Sequence, residues 1–252
     1  MRTIAVIQAR MGSTRLPGKI LEPIEGRPLL GWTIAAVRDV PGVDDVVVAT
    51  SDRPEDDAVV EAMRSLEERV HRGSVHDVLR RVADAVRPLA PDVVLRQTGD
   101  NPFVDPEIMS AQLVRLEQGP FDYVGIAGLP LGIGGEAVRA DALWIADREA
   151  TDPADREHVL PFVYARPERF AIGALTAPPA WRHPRYTVDT PADLAFARAV
   201  AARLPGRRPP AHLATLEAIV ADTRELAELN ATIVQRGHHE AELNQPAKPK
   251  ES

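Results

Sequence analysis

The sequence predicts an α/β protein, a Rossmann-like, mostly parallel sheet with helices on both faces. Three observations lead there. Short apolar or β-branched runs alternate with amphipathic stretches over most of the chain. The runs have the length and composition of buried strands. The first run passes through a loop rich in Gly, Ser and Pro into a helical pattern. Strand, glycine loop, helix is the arrangement that turns backbone N–H groups toward anionic oxygens.

Each element follows from its pattern. Residues 4–8 form a strand and 9–18 a loop. A helix is expected over 28–39, where Leu29, Leu30, Ile34 and Val37 recur at roughly helical spacing. The β-branched run 46–50 is a strand ending at Ser51-Asp52, followed by a helix over 55–70. Residues 75–86 are again amphipathic, 92–97 a strand, 105–118 a helix and 121–126 a strand. Leu129-Pro-Leu-Gly-Ile-Gly-Gly135 is too glycine-rich for regular structure and is expected to be a substrate-side loop. Beyond Pro205, Pro209 and Pro210, apolar residues over 213–229 predict an added helical element. From Glu240 the chain is polar and Pro-containing, as disordered tails are. The domains expected are 1–205, a helical extension over 206–239, and a tail over 240–252, with no internal repeat.

Composition narrows the function classes. A chain of 252 residues is ample for a core. It has no cysteine, so neither disulfides nor thiolate metal sites are available. No signal peptide or membrane-length apolar run is apparent, which suits a cytoplasmic protein with no membrane partner. A net charge of −7 argues against nucleic acid as a partner. Anionic ligands must then be met by particular residues.

Those residues stand out by type. Of thirty Lys and Arg, only Lys19, Lys248 and Lys250 are lysines. Lys19 directly follows Gly18 in the first loop, where Arg10 and Arg15 add two more cations. Arginine forks onto two oxygens at once, whereas lysine is a compact, mobile charge that can follow a phosphate as it moves. Five residues separate Gly12 from Gly18 and Ile20 follows Lys19, so the loop is not a Walker A motif. The loop is expected to face solvent, with burial contributing little at Lys19. Its bland alternative is a surface turn with ordinary solvated charges.

In sheets of this kind ligands sit at the carboxyl ends of the strands, and Arg10, Ser51 and Asp100 all follow strand-like runs. Asp189 follows Tyr186-Thr-Val and precedes Thr190, a helix cap, and Pro191, a helix start. Two strand-end carboxylates suit Mg²⁺, which usually takes one or two of them along with phosphate oxygens and water. The competing reading makes Asp100 an Asx-turn residue and Asp189 a strand terminator. Ser51 and Asp52, like Ser74 and Asp77, stand where turn and helix-cap residues stand. An isolated His158 is more often structural than catalytic, His238-His239 belongs to the solvated tail, and neither a Ser-His-Asp order nor HExxH occurs.

The stretch Ala9-Arg-Met-Gly-Ser-Thr-Arg-Leu-Pro-Gly-Lys19 closely resembles the nucleotide-binding loop of the sugar-acid cytidylyltransferases, in particular their SpsF-like spore coat polysaccharide branch. That branch is similar to the enzymes that make CMP-activated 3-deoxy-manno-octulosonate and CMP-sialic acid. The resemblance continues in family order through Val48-Ala-Thr-Ser-Asp52, Arg72-Gly-Ser-Val-His-Asp-Val-Leu79, Thr98-Gly-Asp-Asn-Pro-Phe-Val-Asp-Pro-Glu107, Arg156-Glu-His-Val159 and Tyr186-Thr-Val-Asp-Thr-Pro-Ala-Asp-Leu194, and fades past residue 200.

The resemblance implies a fold of the nucleotide-diphospho-sugar transferase type, with a substrate and dimer lobe over 128–176 and a homodimeric enzyme. It implies transfer of CMP from CTP to an anionic small-molecule acceptor, an acidic sugar or a phosphonate, as in polysaccharide biosynthesis. Arg10 and Lys19 are then catalytic. Ala9, Gly12, Ser13, Arg15, Thr50, Ser51, Asp52, Gly73, Ser74 and Thr98 hold the nucleotide, and Asp100 and Asp189 the magnesium. Arg96, Glu136, Arg156, His158 and Arg185 are the candidates for acceptor contacts. The alternatives are another nucleotidyltransferase, a glycosyltransferase of the same fold, or a non-catalytic nucleotide-binding regulator. The glycosyltransferase normally carries an Asp-x-Asp motif, which Asp39 and Asp44-Asp45 do not supply at a strand end, and the regulator is expected to lack Lys19 or an aspartate.

Overall fold

The apolar run at the N-terminus becomes β1 (Thr3–Gln8), buried up to its last residue. The computed structural model describes residues 1–176, 181, 183 and 185–233; the expected tail over 240–252 lies outside the described residues. After the first loop a short hairpin, β2 (Pro23–Ile24) and β3 (Arg27–Pro28), leads into α1 (Leu29–Arg38). Then come β4 (Asp45–Ser51), α2 (Asp57–Ser65), β5 (Arg69–Gly73), α3 (Val78–Val86), β6 (Val93–Thr98), α4 (Pro106–Gln118) and β7 (Tyr123–Ala127). The chain continues through β8 (Glu136–Arg139), α5 (Ala140–Glu149), α6 (Pro153–His158), α7 (Pro161–Tyr164) and β9 (Ile172–Thr176). Helices α8 (Pro191–Ala201), α9 (Leu213–Asp222) and α10 (Arg224–Glu228) follow.

The main sheet has seven strands in the order β5-β4-β1-β6-β8-β7-β9. Only β8 runs antiparallel to its neighbours. Period-two alternation divides the strands between two layers. Ile4, Val6 and Val94 pack under α3 and α5, whereas Ala5, Ile7 and Leu95 pack under α1, α2 and α4. A third cluster joins Trp32, Phe103 and Tyr186 to α8 and α9, so the C-terminal extension packs against the rest of the fold.

Two expectations change. The helix read over 55–70 ends at Ser65, and Arg69–Gly73 is a strand pairing in parallel with β4. Glu67 takes a left-handed φ of 58°, which breaks the helix. Strand β5 is half-exposed at the sheet edge, so it carries no apolar run. The segment 128–176, expected as a lobe, supplies β8 and β9 to the main sheet.

Candidate active site

Strands β1, β4, β5 and β6 are mutually parallel, so the residues leaving their carboxyl ends share one edge. Ala9 extends the ladder by donating its N–H to the Ala49 carbonyl. Gly99 donates to the Gln8 carbonyl. A Cβ at Gly99 would lie 2.9 Å from the Ala9 Cβ and 3.0 Å from Leu30 Cδ1, so only glycine lets the chain turn here and deliver Asp100 beside the first loop.

The loop is wound on Met11, whose carbonyl accepts from the N–H groups of Ser13 at 2.9 Å and Gly18 at 3.0 Å. Ser13 Oγ accepts from the Leu16 N–H. Gly18 has a φ of 73°, in the region that favours glycine, and starts the 3-10 turn Lys19–Leu21. Gly12 is exposed, and a Cβ there would meet nothing within 4 Å, so packing does not demand glycine at that position.

Lys19 corrects one expectation: it is buried, 7 % exposed, rather than facing solvent. Its Nζ donates to Asp100 Oδ2 at 2.6 Å, Asp189 Oδ1 at 2.8 Å and the Val188 carbonyl at 2.8 Å. Burial pulls the ammonium pKa down, but the two carboxylates outweigh it and the net shift is upward. Asp189 is also burial-penalised, and Lys19, Arg185 and Arg15 together hold it below the ordinary carboxylate range. Arg15 reaches Asp189 Oδ2 at 3.0 Å, while Arg10 is exposed at the mouth.

Asp189 is fixed from behind by a residue that reading the sequence missed. Thr190 and Asp193 form a capping box at the start of α8. Asp193 Oδ2 accepts from the N–H of Asp189 and Thr190, and Oδ1 accepts from Arg185 Nε and Asn230 Nδ2. Arg185 in turn donates to Asp189 Oδ2 at 2.5 Å. The signal was present in the spacing Thr-Pro-Ala-Asp, a cap pattern.

Two carboxylates flanking one cation, with side chains 23 % and 16 % exposed, offer hard oxygen donors beside open solvent. That donor set fits a magnesium ion completed by substrate phosphates and water. Among the described residues a different trio, Asp105, Glu107 and His212, also has mutually close ligand atoms. Asp105 there caps α4 and accepts from the Leu213 N–H, a structural use of its oxygens.

On the far side of β1, Thr50 and Ser51 are buried at the end of β4, and Asp52, whose N–H bonds the Gly73 carbonyl, is exposed. Ser74 Oγ accepts from the N–H groups of His76 and Asp77, a turn ahead of α3. Thr98 Oγ1 accepts from Asn101. These residues line the same edge as the loop.

The acceptor candidates scatter. Arg185 is buried and held by Asp189 and Asp193. Arg96 is buried, with Nη1 on Glu136 and with Nε and Nη2 on Gln8 Oε1 at 3.0 and 2.8 Å. Glu136 also accepts from the Tyr123 hydroxyl, so the expected acceptor pair is part of a buried network across β1, β6, β8 and β7. The guanidinium of Arg156, another expected acceptor contact, forks onto Asp77 at 2.9 and 2.6 Å and reaches the Asp147 carbonyl at 2.7 Å, tying α6 to the start of α3. A fork so occupied is a clamp within the protein. His158 is half-buried at the end of α6.

The sequence profile of the family described as cytidylyltransferase matches residues 4–231. The chain is 39 % identical over 212 residues to the spore coat polysaccharide biosynthesis protein SpsF of Bacillus subtilis, covering 81 % of this chain and 88 % of that one. It is 40 % identical over 115 residues to a 3-deoxy-manno-octulosonate cytidylyltransferase of Anaeromyxobacter dehalogenans, covering 44 % and 46 %. A solved cytidylyltransferase from Leptospira borgpetersenii superposes with a TM-score of 0.82 at 26 % identity, over 93 % of this chain and all of that one. No helix among the described residues is long and apolar enough to cross a membrane. A glycine-wound loop, its cations and two strand-end aspartates thus meet in a chain that belongs to the cytidylyltransferase family and is a CTP-dependent nucleotidyltransferase.

Proposed function

We propose that the protein transfers CMP from CTP to an acidic sugar or phosphonate acceptor. An acceptor oxygen, either a phosphonate oxyanion or a sugar hydroxyl that gives up its proton to solvent, attacks the α-phosphorus, the new O–P bond forms, and the bond to the bridging α,β-oxygen breaks, releasing pyrophosphate. The observation that carries this reading is the convergence of Lys19 with Asp100 and Asp189, residues far apart in sequence, beside the glycine-wound loop.

Each group then has a task. Arg10 and Arg15 receive the triphosphate, and Lys19 leaves its carboxylates to follow the charge that builds on departing pyrophosphate. Asp100 and Asp189 would hold Mg²⁺, which supplies charge neutralisation at the phosphates when bound. Arg185 and Asp193 keep Asp189 in place. The buried end of β4, at Thr50 and Ser51, and the half-buried turn at the end of β5, at Gly73 and Ser74, flank the base. The acceptor class rests on the likeness to the 3-deoxy-manno-octulosonate enzyme. The expected homodimer is checked by light scattering.

Incubation with each nucleoside triphosphate and a panel of sugar acids and phosphonates, with pyrophosphate measured, tests the reading. A pocket that pairs with the cytosine amine leaves its own polar groups unsatisfied with uracil. CTP should therefore lead UTP by roughly a hundredfold, equivalent to about 3 kcal/mol. Equal rates with UTP or GTP would refute the assignment of the base.

A further inference from the structure

Asp56 has no part in the mechanism above, yet it is 1 % exposed at the carboxyl edge of the sheet. It occupies the position before α2, where an aspartate ordinarily caps its own helix, and it makes no such bond. Its carboxylate serves Met11 and Ser51 instead. Oδ1 accepts from the Met11 N–H at 2.6 Å, and Oδ2 accepts from the Ser51 hydroxyl and, at 3.3 Å, from the Ser51 N–H. Arg72 braces the same segment, donating to the Ser51 carbonyl at 3.1 Å and the Arg53 carbonyl at 2.9 Å.

Met11 is the residue on which the first loop is wound, since its carbonyl holds Ser13 and Gly18. One side of Met11 is bonded to Arg10, and its carbonyl ties down the glycine that precedes Lys19. A carboxylate fixing the Met11 N–H therefore fixes where both cations stand, and ties them to Ser51 at the end of β4. We propose that Asp56 is a positioning residue for nucleotidyl transfer, setting the spacing of Arg10 and Lys19 through the Met11 peptide. This rests on the reading of that loop as the triphosphate site. It acts through backbone and touches no reacting atom. Charge-assisted bonds to buried N–H groups are short and costly to lose, which suits a fixed anchor.

The test compares Asp56→Ala and Asp56→Asn with the wild type. Hydrogen exchange should accelerate at least roughly tenfold in peptides covering residues 9–18, while those covering α1 and β6 stay protected. For CTP turnover, kcat should fall at least roughly thirtyfold in Asp56→Ala with KM changed only a few-fold. Asparagine, which keeps one oxygen for the Met11 N–H, should recover part of the loss, and it serves if the alanine variant does not fold. Combined with Lys19→Ala, Asp56→Ala should cost less than about threefold more, because both changes disable one unit. Unchanged exchange over 9–18 in folded protein, or fully additive losses, would overturn the proposal. Should the wild type release no pyrophosphate from any nucleotide, the triphosphate reading fails, and the exchange measurement alone still decides whether Asp56 anchors the loop.

Discussion

Two charged clusters lie on this fold, and their resemblance ends at composition. In one, Lys19 is shared by Asp100 and Asp189, with Arg15 and Arg185 reaching Asp189. In the other, Asp147 accepts from Arg80, Arg87 and Arg156, and Arg156 forks onto Asp77. The difference is where the carboxylates stand. Asp147 is 3 % exposed in its side chain and enclosed by its arginines, so its charge is neutralised for good. Asp100 and Asp189 keep an open side, and their shared cation sits on a mobile four-carbon stem. A closed cluster holds helices together; an open one can exchange its cation for a ligand.

The largest effect should separate them at once. Lys19→Ala should lower the rate of pyrophosphate release at least roughly a thousandfold, since it removes the cation proposed to follow the leaving group. The same variant removes the cation that the two carboxylates share, leaving only Arg15 and Arg185 on Asp189. Mn²⁺ binding without nucleotide, followed by electron spin resonance, should then tighten relative to the wild type. Weaker binding would mean that Lys19 and the metal do not compete for the same oxygens.

Arg156→Ala probes the closed cluster. It should cost about 1–3 kcal/mol in urea unfolding, discounted for the partial exposure of Asp77, with kcat/KM per folded molecule within about threefold of wild type. A collapse of activity in a stable variant would return Arg156 to the acceptor site and erase the distinction.

The smallest effect is in acid. Burial raises the Asp189 pKa, but Lys19 and the two arginines bring the net value below that of an unfolded aspartate. A depressed folded pKa contributes stability that is present above the unfolded value of about 3.9 and is lost as pH falls through the folded value. Stability measured from pH 6 down to below 4 should therefore drop less steeply in Asp189→Asn than in the wild type. Parallel curves would show that the open cluster adds nothing to the folded state.

Much of this could be read along the chain. Asp77 and Thr190 cap α3 and α8 as their positions promise, and the apolar runs 4–8, 46–50 and 92–97 are strands of the sheet. Two strands escaped in the same way. Strand β5 reads Arg-Val-His-Arg-Gly and is a strand because β4 offers it a free edge. Strand β8 reads Glu-Ala-Val-Arg and inserts between β6 and β7, where Glu136 meets Arg96 and Tyr123. No periodicity announces either.

Local chemistry is written in neighbouring residues: cap patterns, a glycine before Lys19, three cations in one loop, the alternation of strand and helix. Those features follow from spacings of two to four residues and from backbone sterics, which need no knowledge of the rest of the chain. Partnership is another matter. That Lys19 is buried between carboxylates 81 and 170 residues away, that Asp56 holds Met11, and that Arg156 closes on Asp77 depend on which strands lie side by side. A charged side chain looks the same in sequence whether it ends in solvent, in a clamp or in a site, because its environment comes from residues that only folding brings near.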